Sequence, residues 1–207
     1  MRLIIAIICL VSMAFCPNTD TDKIKDLKTL PKEVKQVILV QDHKLSLWNR
    51  TDLSWEMAFE VPCHYGKNGL SADRRDGDGT TPIGLFKVTL VFGNAPDPGS
   101  AMPYRRITPT SWWSGEKEDY NTWVEVEPGT RDMSRSEHLY RFKISYKYAM
   151  AIDFNTNPEV WGKGFAIFIH CDYLDDVTTA GCVALEEQYM LRLVKECKEG
   201  TYLWVRE

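Results

Sequence analysis

The sequence predicts a mainly β domain with few helices, and three observations predict it. Short runs rich in β-branched and aromatic residues recur between turn residues. Only one stretch, after Cys182, repeats apolar residues at three- and four-residue spacing. The 207 residues are 44% hydrophobic and 12% aromatic, enough for one sizeable core and too apolar for a disordered chain.

Taken in order, residues 34–40, 44–48 and 55–61 read as the strands of a hairpin or meander. Gln41-Asp42-His43 and Asn49-Arg50-Thr51-Asp52 supply the turns. Residues 84–92 form a further strand, and 146–154 and 165–170 two more. Leu185, Tyr189, Leu193, Val194 and Cys197 predict an amphipathic helix over 185–198, and residues 201–205 close as a strand. Two long irregular segments lie between the strands: 65–79, rich in Gly, Asp and Arg, and 93–132, rich in Pro, Gly, Trp and Tyr. Loops of that length are usually functional or disordered. Trp112, Trp113 and Trp123 make 93–132 a wall or lid of a binding cleft or, nearly as well, padding for the core.

Met1-Arg2 followed by nine apolar residues, Leu3 to Val11, with Ser12-Met13-Ala14 after them, reads as a signal peptide over 1–14. This gives a layout of leader 1–14, polar linker 15–33 and a domain over 34–207. Export to the periplasm or cell envelope follows, with no stable membrane span. Lipid anchoring through Cys16 is the weaker alternative, because the bulky Phe15 before it suits that processing poorly. With 25 Lys+Arg against 29 Asp+Glu the net charge is −4, which excludes nucleic acid as a partner.

Six cysteines, Cys9, Cys16, Cys63, Cys171, Cys182 and Cys197, form no dense framework, and cleavage would leave an odd number. At least one thiol is then free or lipid-modified. Cys63-His64 and His170-Cys171 are mixed metal-ligand pairs, but neighbours on a strand point to opposite faces, so no metal and no cofactor is expected.

The chemistry concentrates at the end of the chain. His170 ends an apolar strand, and Cys182 follows twelve residues later, directly after Gly181. A thiol needs a base to become a nucleophile, and imidazole titrates in the right range. Gly181 leaves room for a substrate, and the Gly181 and Cys182 amides are placed to face a developing oxyanion. If His170 Nδ1 donates to a backbone carbonyl, that of Cys171 being nearest, Nε2 is left to accept the thiol proton. On spacing alone, a buried cysteine beside a core histidine explains the pair equally well.

Thr179-Ala180-Gly181-Cys182-Val183 after His170 resembles the signature of the YkuD-type L,D-transpeptidase catalytic domain. Gly77-Asp78-Gly79-Thr80-Thr81-Pro82-Ile83-Gly84-Leu85-Phe86-Lys87 is similar to that family's Gly-x-x-Thr-Pro-x-Gly-x-Phe. Ser136-Glu137-His138-Leu139, Tyr146-Lys147-Tyr148, Ile152-Asp153-Phe154-Asn155 and Gly164-Phe165-Ala166-Ile167-Phe168 resemble the divergent ErfK/YbiS/YnhG-related branch. The resemblance runs from about residue 35 to 206. It implies a β-sandwich acting on peptidoglycan stem peptides through a cysteinyl thioacyl-enzyme, with Cys182 as nucleophile, His170 as base and Gly181 at the oxyanion site. Thr179 takes the hydroxyl position of the motif.

Two departures accompany it: Ala180 stands where many members carry His, and Ala184 where many carry an Arg able to hold a substrate carboxylate. His138, Arg105, Arg106, Arg131 and Arg141 are replacement cations. His138 is the first choice for substrate binding, and Tyr148 and Asp153 join it from their motif segments. A hydrolase on the same scaffold, a carboxypeptidase or amidase, is the alternative to transfer, and a non-catalytic wall-binding module is a third reading.

Overall fold

The computed structural model describes residues 19–172 and 178–207; the leader reading of 1–14 and Cys16 lie outside them. The chain forms two compact units, Met1–Leu30 and Pro31–Glu207. In the first, α1 (Thr19–Leu27) occupies part of the segment read as linker, and Lys25 Nζ donates to Asp22 Oδ1 at 2.9 Å one turn away.

The second unit is mainly β. Strands β1 (Gln36–Gln41), β2 (Lys44–Arg50) and β3 (Trp55–Pro62) form the expected antiparallel meander. Two-residue strands β4 (Leu70–Ser71) and β5 (Thr81–Pro82) pair in parallel. Strand β6 (Gly84–Gly93) is long enough to serve two halves of the sheet: its first part pairs with the last strand of the chain, its second with β11. Strand β7 (Tyr104–Arg106) adds to its end. Strands β8 (Ser111–Trp113), β9 (Trp123–Glu125) and β10 (Glu137–His138) make a separate small sheet in the order β10-β8-β9. After β11 (Ala149–Ile152) and β12 (Phe168–Cys171) come β13 (Val183–Leu185), helix α2 (Glu187–Glu196) and β14 (Thr201–Val205). The large sheet runs β13-β12-β11-β6-β14-β1-β2-β3.

Alternation divides the core. Met150, Ile152, Ile169 and Cys171 join Ile38, Leu47, Leu203 and the buried stripe Met190, Leu193 and Val194 of α2 in one cluster. Ala149, Ala151 and Phe168, on the opposite face, build a second cluster with Phe92, Trp113, Leu139 and Tyr146. Within 93–132, Trp113 is buried and Trp123 packs on this second cluster, whereas Trp112 lines a surface hollow. The padding reading therefore describes Trp113 and Trp123, and only Trp112 forms part of a wall.

Three elements are shorter than their sequence patterns. The apolar spacing at Leu185 and Cys197 extends the helical pattern, but Leu185 belongs to β13 and Cys197 is the extended C-cap of α2. β11 begins only at Ala149, and its register with β6 shifts between Ala151 and Ile152. β12 begins three residues late because Gly164 (φ +125°) and Ala166 (φ +53°) bend the chain first. That bend shapes the site.

Candidate functional site

Strands β12 and β13 pair in parallel, with Ile169 opposite Val183 and His170 opposite Ala184. Ile169 and Cys171 enter the main core, so Phe168 and His170 face the other way, where Cys182 packs against the second cluster. The Phe168 N–H donates to Cys182 Sγ at 3.4 Å, and the thiol donates to the Ala166 carbonyl at 3.3 Å. Asn121 fixes this unusual alanine: its Oδ1 accepts the Ala166 N–H at 3.2 Å while its Nδ2 donates to the carbonyls of Phe154 and Asn155. A left-handed non-glycine residue costs on the order of 1–3 kcal/mol, and here the bend aims a carbonyl at a thiol.

The turn carrying Cys182 is braced from several sides. The Thr179 hydroxyl donates to the Cys182 carbonyl at 2.6 Å and accepts the Gly181 N–H at 3.1 Å. Thr81, from the Thr-Thr-Pro segment, donates its hydroxyl to the Gly181 carbonyl at 2.7 Å. His64 and Ala184 exchange backbone hydrogen bonds of 2.9 and 2.8 Å. Gly181 sits at φ +142°, and a Cβ there would lie 2.7 Å from the Thr80 carbonyl oxygen, so only glycine fits. Its amide is committed to Thr179; the expectation that it faces an oxyanion gives way to this bracing bond.

His170 Nδ1 lies 2.7 Å from the Cys171 carbonyl oxygen, an acceptor only. Nδ1 therefore carries the proton, and Nε2 is left with its lone pair. Tyr146 meets the imidazole edge-on, with ring centroids 5.6 Å apart. Burial holds the His170 pKa below the ordinary histidine value, against the opposing pull of the Cys171 carbonyl and Asp172. Burial also pushes the Cys182 thiol up to about 12, and the Glu137 carboxylate adds to the rise; the Phe168 N–H and Arg74 oppose it. Burial thus favours the neutral imidazole and the protonated thiol.

His170 and Cys182 open onto one cavity of about 470 Å³, lined also by Arg74, Asp76, Glu137 and Tyr146. Cys182 is half-buried, whereas Cys63, Cys171 and Cys197 are buried free thiols. Glu137 accepts the Tyr146 hydroxyl, and burial raises its carboxyl to about 7 against that bond. Arg74 is 4% exposed. Among the described residues, no three His, Cys, Asp or Glu are grouped to hold a metal ion, and no helix is long and apolar enough to cross a membrane.

The other residues singled out in the sequence scatter. Thr179 lines the cavity, with its hydroxyl turned to the Cys182 turn. His138 lies in a neighbouring hollow of about 650 Å³, stacked on Trp112 at 4.1 Å, with Nε2 2.7 Å from the Pro109 carbonyl oxygen. Tyr148 is buried in the main core. Asp153 accepts the Lys87 N–H at 2.7 Å and ties β6 to the end of β11. None of these three is among the described residues of the Cys182 cavity. Arg105 pairs with Glu125, and Arg131 with Asp119, away from it.

Sequence reasoning missed Arg74 and Glu137. Glu137 neighbours His138 in the quoted motif, and both lie on β10. Arg74 sits beside Arg75, which is exposed and 3.5 Å from Asp73; nothing in the local sequence separates them.

Comparison with solved structures returns distant similarity. The helical cell shape determining protein Pgp2 from Campylobacter jejuni is 16% identical, with 87% of this chain and 53% of that one covered and a TM-score of 0.46. Bd1075 from Bdellovibrio bacteriovorus is 16% identical over 83% of this chain and 48% of its own, at 0.47. L,D-transpeptidase 1 from Mycobacterium tuberculosis is 12% identical over 82% and 59%, at 0.39. The chain spans about half the length of the first two. No curated protein matches. Residues 35–205, nearly the whole of the second unit, match the YkuD family, the L,D-transpeptidase catalytic domain, and the chain belongs to that family.

Proposed function

We propose that this protein is a cysteine acyl-transfer enzyme of the cell envelope, exported by its leader, that acts on peptidoglycan stem peptides by L,D-transpeptidation. The observation that carries the reading is the placement of Cys182 and His170 on one cavity, with His170 Nδ1 bonded to the Cys171 carbonyl and Nε2 left as an acceptor.

Burial favours the neutral form of both groups, so the thiol proton passes to Nε2 as Sγ bonds to the carbonyl carbon of the donor peptide. The carbonyl π electrons move onto oxygen. With the Gly181 amide committed to Thr179, the Cys182 amide is the donor of this turn that meets the oxyanion. The carbonyl reforms, the C–N bond breaks, and the departing amine takes the proton from Nε2. An acceptor amine then gives its proton to Nε2 while attacking the thioester, and Sγ leaves as the thiol with that proton.

Mass spectrometry of purified muropeptides incubated with the protein tests the reading. A transient acyl adduct on Cys182 and a cross-linked product are expected. A trimmed peptide without cross-links would assign water as the acceptor and replace transfer with hydrolysis. Cys182→Ala should abolish all product with the fold intact; turnover unchanged in that variant would overturn the mechanism.

A further inference from the structure

The side chains of His64 and Asp172 meet beside His170, and the proton transfer described above uses neither. Residue 64 bridges Ala184 on one side of β13, and His170 stands opposite Ala184 on the other. Residues paired across neighbouring strands point to one face, so His64, Ala184 and His170 form a row across the sheet. Asp172 follows His170 by two residues and lines the same cavity. The middle strand places only the methyl of Ala184 in that row, and His64 Nε2 approaches Asp172 Oδ2 to 3.3 Å. A carboxylate oxygen accepts and does not donate, so the His64 nitrogen facing it carries the proton. Both side chains are partly buried, 29% and 20% exposed, where a charge is screened less than at an open surface.

When His170 Nε2 takes the thiol proton, the ring gains a positive charge while Nδ1 stays on the Cys171 carbonyl. Burial opposes that charge; the Cys171 carbonyl and then the Asp172 carboxylate favour it. The other charged groups of the cavity are engaged elsewhere. Glu137 accepts the Tyr146 hydroxyl, Asp76 accepts the Tyr120 hydroxyl at 2.8 Å, and Arg74 approaches Asp78 to 3.9 Å. Tyr146 turns only the edge of its ring to the imidazole. We propose that Asp172, held by His64, is a positioning residue of the acyl-transfer site, its carboxylate steadying the imidazolium that forms on His170 as Cys182 gives up its proton. The inference rests on the reading of His170 as the base and adds the pair that supports it from the far side of β13.

Titration of His170 in the full chain tests the proposal without turnover. The ring is followed by heteronuclear NMR between about pH 4 and 9, its signal assigned by its loss in His170→Gln. Asp172→Asn should lower the His170 midpoint by about half a unit to one unit. The same variant should slow acylation of Cys182 by muropeptides about threefold to tenfold at about pH 8, the rate equivalent of that shift, with KM unchanged. Asp172→Ser removes the same charge and takes its place should Asp172→Asn fail to fold. His64→Ala should slow acylation in the same direction, and His64→Gln, which keeps a donor there, should restore most of the loss. An unchanged His170 midpoint, a ring that does not titrate while the fold persists, or acylation at the unsubstituted rate in Asp172→Asn would each overturn the proposal. An unchanged rate in His64→Ala would overturn the hold on the carboxylate. A lowered midpoint in Asp172→Asn with no acyl adduct on Cys182 in any of the proteins, the unsubstituted one included, would leave the pairing in place and overturn the acyl-transfer reading instead.

Discussion

The cavity at Cys182 and the hollow at His138 share Glu137, Phe142 and Phe165 as a common wall, yet their guanidinium groups are paired differently. In the hollow Arg131 forks onto Asp119 at 2.5 and 2.9 Å, and His138 is held by the Pro109 carbonyl at Nε2 and by the Trp112 face, while its buried Nδ1 has no hydrogen-bond partner among the described residues. In the cavity, among the described residues, the imidazole Nε2 makes no hydrogen bond and Arg74 Nε and Nη1 have no hydrogen-bond partner, while burial raises the Cys182 thiol. The larger hollow holds its guanidinium in a fork with a carboxylate, and the smaller cavity does not.

Substitutions on the two sides should separate the regions. On the cavity side, His170→Gln should lower the rate of Cys182 acylation by about 10² to 10⁴, the usual worth of a positioned base. In the unsubstituted protein, alkylation of Cys182 by iodoacetamide should still be rising with pH at pH 9, because the thiol is pushed up to about 12. A plateau near neutral pH would show a stored thiolate and break the contrast with the paired groups of the hollow.

Glu137 stands on the shared wall. Its carboxyl titrates near 4.5 when unperturbed and near 7 in the fold, so the folded chain holds a proton that the unfolded chain has lost between those values. Stability should therefore be greatest below about pH 4.5 as far as this group is concerned, and fall by about 3 kcal/mol as pH rises through 7. Glu137→Gln should flatten that part of the profile in thermal melts between pH 5 and 8. It should also speed Cys182 alkylation, since the Glu137 charge raises the thiol. A slope unchanged by the substitution would show that other groups govern it.

The smallest effect belongs to the hollow. His138→Ala removes a ring stacked on Trp112 and should cost about 1 kcal/mol of stability. Acyl transfer should change less than about threefold, below the tenfold that a lost charged contact would give. A tenfold loss in kcat/KM would join the hollow to the substrate path.

The residues explain how far the sequence could be read. Strands with strong local patterns, such as β1, β2, β3 and β6, are legible because alternation and turn residues report their own geometry. The motif singled out His170 and Cys182, and both line one cavity. The start of β12 was not, because the bend at Ala166 is held by Asn121, 45 positions earlier in the chain. Tyr148 and Asp153 sit in motif segments for packing and for a β6 contact, which spacing alone does not distinguish from substrate contact. Arg74 and Arg75 differ only in what surrounds them after folding.

The backbone bonds that tie the Cys182 turn to residues 64–67 set its dynamics. Ala184 is locked to His64 in both directions, Lys67 donates to the Thr179 carbonyl at 2.9 Å, and Thr179 donates to that of Tyr65 at 3.2 Å. These amides lie in the frame of the domain, so their protons should exchange with solvent only in larger openings of the fold, far more slowly than those of an ordinary surface turn. The entropy of ordering the Cys182 turn is then lost once, during folding, and not again at each encounter with a ligand.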